Sequence, residues 1–167
     1  MSRLMDVYET KISPDHQLFG LVDAGVDRDF PDPDDTKWLL SMPGMVYLQV
    51  PSQVFYTALR LESWSATPPD GSIEWSGQEE VEVGLPTGEL AVETIDGGLA
   101  NIPLVLPSPG QYRMRWKWVF NREHAPFFSP VRGVGDIRIP SGHEGDLNES
   151  QQFCLVQIWR VGRGIRR

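Results

Sequence analysis

The chain carries three histidines (His16, His124 and His143), one cysteine (Cys154) and 23 Asp and Glu residues, and these are the groups best suited to chemistry. A zinc site needs several ligands converging on one point, and the histidines have neither motif spacing nor a paired cysteine set. His143, Glu144 and Asp146 stand close in sequence, but the glycines around them suit an exposed polar loop equally well. Asp27, Asp29, Asp32, Asp34 and Asp35 have the acidity of a calcium loop. They lack its central glycine and closing bidentate glutamate at the required offsets, and Pro31 and Pro33 interrupt them. Ser65, Ser76 and Ser141 do not sit in a Gly-x-Ser-x-Gly setting. Val131-Arg132-Gly133-Val134-Gly135 lacks the further glycine, lysine and hydroxyl of a phosphate-gripping loop. Carboxylates are plentiful, but the sequence places no pair on one cleft for acid–base work. The residues therefore assign no catalytic group, no metal and no cofactor.

Binding is better supported than catalysis. Six tryptophans stand at positions 38, 64, 75, 116, 118 and 159. Trp116, Trp118 and Trp159 fall in strong strand patterns and read as core. Trp38 and Trp75 lie in or beside acidic, turn-rich stretches, where an exposed indole next to carboxylates anchors a basic partner or stacks on a sugar. The simpler alternative is that these two cover the ends of the fold. Net charge is −8, unevenly spread: residues 1–101 hold 5 Lys and Arg against 18 Asp and Glu, whereas 102–167 hold 10 against 5. The candidate interaction residues are thus Trp38, Trp75, Asp29, Asp32, Asp34, Asp35, Glu79 and Glu80, with a basic protein as the expected partner.

These residues need elements to position them. In Gln111–Asn121 the even positions Tyr112, Met114, Trp116, Trp118 and Phe120 are apolar, while Gln111, Arg113, Arg115 and Lys117 alternate with them. On a strand the two sets face opposite ways, giving a core face and a solvent face. That separation argues against nucleic-acid binding, which needs cations beside exposed aromatics. Val54–Trp64 alternates similarly, and further strands are expected at Met5–Ile12, Leu18–Val22, Met45–Val50, Glu79–Leu85, Glu89–Ile95 and Ile102–Leu106. Phe153–Trp159 is nearly continuously apolar, as befits a sheet centre, and Cys154 within it reads as a buried small hydrophobe. Residues 23–37 read as an acidic loop, 122–149 as a long irregular excursion and 160–167 as a flexible tail.

About 8–10 short strands, 16 glycines and 14 prolines, and no helical periodicity predict an all-β single domain over 1–167. An antiparallel two-sheet β-sandwich is expected first and a closed β-barrel second. One cysteine cannot form an internal disulfide, and no signal-like or membrane-spanning apolar run occurs, so a cytoplasmic location with no membrane partner is expected.

The run Pro109-Gly110-Gln111-Tyr112-Arg113-Met114-Arg115 and the later Phe153-Cys154-Leu155-Val156-Gln157-Ile158-Trp159 resemble segments of small uncharacterised β-rich cytoplasmic proteins of bacteria, actinobacteria in particular. Those proteins share a Gly-x-Tyr-x-x-Arg strand and a Leu-x-Gln-x-Trp strand, and the Glu79-Glu80 pair fits the same pattern. The chain is also similar to the competence-associated nuclease inhibitors of the ComJ type. That resemblance implies a non-enzymatic interaction domain, an inhibitor or immunity protein in its most specific form. A small-ligand or carbohydrate-binding sandwich and an enzyme lacking familiar motifs are the competing expectations.

Overall fold

A computed structural model describes residues 1–12, 18–27, 31–32, 38–49, 57–70, 77–94, 98–99, 104–120 and 152–161. The expected excursion at 122–149, most of the acidic loop, Trp75 and the tail beyond 161 lie outside them. Eleven strands are described in two sheets. The first sheet orders β1 (Leu4–Ile12), β5 (Thr57–Trp64), β11 (Gln152–Arg160), β10 (Gly110–Phe120) and β6 (Gly77–Leu85) as β1-β5-β11-β10-β6. The second runs β3 (Leu39–Met42), β4 (Met45–Gln49), β2 (Leu18–Asp23), β7 (Glu89–Thr94) and β8 (Gly98–Leu99), with β9 (Leu104–Val105) also paired to β7. Neither sheet closes on itself, so the molecule is a sandwich and not a barrel. Every pairing is antiparallel except β5 with β11, which run in parallel.

The alternation in β10 decides the core. Tyr112, Met114, Trp116 and Trp118 are each at most 2% exposed. They meet Phe19, Leu21, Val46, Leu48, Leu90 and Val92 of the second sheet in one apolar layer. Two aromatic contacts bridge the sheets: Trp116 lies 6.1 Å from Phe19 at a 44° tilt, and Trp118 lies 5.3 Å from Trp38 at 41°. Gly77 is the register partner of Trp118, and a Cβ there would stand 2.6 Å from the indole, so only glycine leaves the ring its place. The indole N–H groups of Trp116 and Trp118 find no acceptor among the described residues. A buried donor left in this way typically costs about 1–3 kcal/mol, which the apolar area of the rings must outweigh.

The other face of β10 departs from expectation. Arg115 and Lys117 point away from the core, as their parity requires, but they are only 4% and 5% exposed. Parity fixes which way a side chain points, not what lies over it. Here the segment 65–70 folds across that face, with Pro68 buried and its carbonyl accepting a hydrogen bond from Arg115 Nη1 at 3.4 Å. Asp23 is a second correction. Expected to open the acidic loop, it instead ends β2 and is fully buried. Its carboxylate accepts from Gly25 N–H at 2.8 Å, Thr87 N–H at 3.1 Å, Thr87 Oγ1 at 2.7 Å and Gly88 N–H at 2.9 Å. It thereby ties the β2 end to the turn between β6 and β7.

Replacing Asp23 by Ala strips four donors of their acceptor, and we expect a loss of about 2–4 kcal/mol in urea unfolding. Trp116→Ala is expected to cost about 3–5 kcal/mol. Trp116→Phe should cost far less, since it keeps most of the ring and removes the unpaired N–H. Equal losses for the two tryptophan variants would contradict this account.

A candidate interaction surface on the outer face of the first sheet

A polar ladder crosses the outer face of the first sheet strand by strand. From β1, Glu9 pairs with Arg60 of β5 at 3.1 Å. Arg60 Nε donates to Glu62 Oε2 at 2.7 Å, and Trp64 Nε1 donates to Glu62 Oε1 at 2.9 Å. Gln157 of β11 donates through Nε2 to the same Glu62 oxygen at 3.1 Å and accepts through Oε1 from Arg115 Nη1 at 3.4 Å. Arg115 of β10 then reaches Glu80 of β6 at 3.0 Å and Asp70 at 3.2 Å, with its guanidinium 5.3 Å from the centre of the Trp159 ring. Cation–π contact and charge-assisted hydrogen bonds together replace the hydration this arginine loses.

Burial acts on Arg60, Glu62 and Lys117. It raises the Glu62 carboxyl, but hydrogen bonds from Arg60, Trp64 and Gln157 outweigh that and hold it below its ordinary value. Burial, helped by repulsion from Arg115, pushes the Lys117 ammonium down. On the core side, burial lifts the Cys154 thiol well up, leaving it protonated and unsuited to nucleophilic work. Among the described residues, no group of three or more His, Cys, Asp or Glu side chains could hold a metal ion.

The ladder ends on an acidic strand. Among the described residues β6 pairs only with β10, and Gln78, Glu79, Glu80 and Glu82 along it are exposed. Arg113 approaches Glu82 at 3.2 Å and Glu80 at 3.9 Å from behind. On this face Glu80, Glu82 and Asp70 stand against Arg113, Arg115 and Lys117. The three carboxylates are exposed while Arg115 and Lys117 are buried, so what the edge shows to solvent is mainly acidic.

The residues singled out from the sequence separate in space. Glu79 and Glu80 lie on the exposed edge strand, and Asp32 is exposed. Trp38 is a correction: it is 6% exposed and packed on Trp118, so it belongs to the core and offers no surface anchor. Trp75, Asp29, Asp34 and Asp35 fall outside the described residues. The alternation of β10 already allowed its cations to pair with Glu80 and Glu82 of a neighbouring strand, as Arg113 and Arg115 do; sequence reasoning missed the rest of the ladder, through Gln157, Glu62 and Arg60. Its signal was Gln157, a polar side chain in the middle of an otherwise apolar central strand.

Glu62→Gln tests the ladder. A carboxyl depressed in the folded state adds stability that is complete above its ordinary value of 4.5 and vanishes as pH falls through the lower folded value. The variant should lose about 1–3 kcal/mol at pH near 7. That difference should shrink in acid, as read from denaturant midpoints across the range.

No family model matches the chain, and no curated protein matches it. Two solved structures are similar over nearly their full length. One is ComJ from Bacillus subtilis, described as an inhibitor of the DNA-degrading activity of NucA. It is 12% identical, with a TM-score of 0.63, and the match covers 96% of this chain and 99% of that one. The other is described as crocagin biosynthetic gene J, 18% identical with a TM-score of 0.53, covering 93% of this chain and 97% of that one. At such identities the likeness is one of fold.

Proposed function

We propose that this chain is a non-enzymatic, cytoplasmic interaction domain that offers the acidic edge of its first sheet to a basic protein. Its most specific form is an inhibitor of a nucleic-acid-degrading enzyme. The observation that carries the reading is the exposed acidic run of β6, with Glu80 and Glu82 on the outer face against Arg113 and Arg115 and Glu79 turned to the other side of the same edge. An enzyme that acts on a phosphate backbone must present positive charge to it. Exposed carboxylates along a sheet edge compete for the same surface. Exposed ion pairs such as Arg113–Glu82 are individually weak, so a partner's cations can displace them at little cost. The fold likeness to ComJ, itself an inhibitor of a DNA-degrading activity, supports the same reading. A carbohydrate-stacking role for Trp38 loses support from that residue's burial.

The test compares the native chain with a Glu79→Lys, Glu82→Lys double variant as bait in native-cell extract, at low and moderate salt, with captured proteins identified by mass spectrometry. The native chain should recover a specific basic protein, more weakly as salt rises, and the variant should lose it while unfolding at an unchanged temperature. Equal recovery by both baits, or none by either, counts against the acidic edge as the docking surface.

A further inference from the structure

At one end of the sandwich the starts of β1 and β10 and the ends of β5 and β11 surround a cavity of about 240 Å³, closed on one side by the connection between β9 and β10. Its polar lining offers cations and N–H or O–H donors: Arg3 and Arg160, the serines Ser63, Ser65 and Ser108, and Trp64 and Tyr112. No carboxylate lines it, although the chain as a whole carries −8. Among the described residues neither guanidinium is paired with an acid. Leu106 and Ile158, 4% and 0% exposed, form an apolar floor.

The site is built and not incidental. Arg3 N–H donates to Ser65 Oγ at 2.9 Å, and Ser65 N–H donates back to the Arg3 carbonyl at 2.9 Å, fixing one wall. Tyr112 O–H donates to the Ser108 carbonyl at 2.6 Å, and Arg160 hydrogen-bonds Ser108 Oγ, fixing the other. Gly110 makes the second wall possible: its φ is +148°, and a Cβ there would stand 2.8 Å from Arg160 Nη2. The glycine and tyrosine of the Gly-x-Tyr-x-x-Arg run thus frame this cavity, while its arginine serves the ladder on the other face.

We infer that this end cavity binds a small organic oxyanion, its carboxylate or phosphate head between Arg3 and Arg160 and a short apolar body against Leu106 and Ile158. Guanidinium groups take such heads through paired, charge-assisted hydrogen bonds, and serine hydroxyls complete the shell. The volume lies just below the usual range for ligand pockets, which restricts the body to roughly one ring. This site is remote in kind from the acidic edge, since it attracts the opposite charge, and it stands whether or not that edge docks a protein.

Calorimetric titration of the full chain with phenyl phosphate, benzoate, inorganic phosphate and uncharged benzyl alcohol tests the inference. We expect one equivalent of phenyl phosphate or benzoate to bind, inorganic phosphate to bind more weakly, and benzyl alcohol not at all. Whichever aromatic anion binds more tightly names the head group. Arg160→Gln and, separately, Arg3→Gln should each weaken binding at least tenfold; Arg3 is exposed, so its variant remains informative if Arg160→Gln fails to fold. Glu79→Lys with Glu82→Lys should leave binding unchanged. Absence of saturable binding of either aromatic anion, or equal affinity in native chain and Arg3→Gln, overturns the proposal.

Discussion

Trp116 and Trp118 reach from the middle of β10 across the sandwich to Phe19 and Trp38, and the placing of everything else follows from that reach. Once their rings occupy the interior, strand geometry sends Arg113, Arg115 and Lys117 to the far side. Burying two of those cations then obliges the sheet to supply partners. Gln157, Glu80, Asp70, the Pro68 carbonyl and the face of Trp159 meet that obligation for Arg115, and Glu62 holds Gln157 in turn. A dry aromatic layer on one side and a satisfied polar layer on the other are two consequences of one alternating strand.

The polar layer also explains why the exposed carboxylates of β6 are well placed. An edge strand on its own is a weak platform, with one row of backbone partners and a tendency to recruit stray strands. Here Arg113 and Arg115 hold Glu80 and Glu82 from the neighbouring strand, and charge along the outer edge discourages nonspecific pairing. The same residues that position the acidic row limit what can attach to it. Like charge along it opposes pairing with another acidic sheet edge.

Much of the fold was legible because its strands alternate cleanly. Gly110–Phe120 lies within one residue of its expected bounds at each end, and Gln152–Arg160 occupies the central position its continuous apolar run implied. The site was less legible. Trp38 sits next to an acidic stretch, and sequence proximity to charge is no guide to which way an indole turns when a second tryptophan waits across the core. Asp23 looked like the first of a run of loop acids, but its carboxylate is consumed by amides more than sixty residues away. Long-range pairing of this kind leaves no local pattern. Arg115 and Gln157 were visible as motif residues, yet their meeting depends on the register of β10 with β11, which only the assembled sheet provides.

The parallel pairing of β5 with β11 governs how the molecule can come into being. Thr57 meets Gln152 and Trp64 meets Trp159, partners 95 residues apart along the chain. Before β11 emerges from the ribosome, β1 can pair with β5 and β6 with β10, but among the described residues these two halves share no hydrogen-bonded border. Both leave an unmatched edge facing the same vacant slot. Assembly of the first sheet therefore waits on insertion of a single late-synthesised strand, a high-contact-order step of the kind that slows β proteins to milliseconds or longer. During that interval a nascent chain exposes two open strand borders, the kind of edge at which stray strands add.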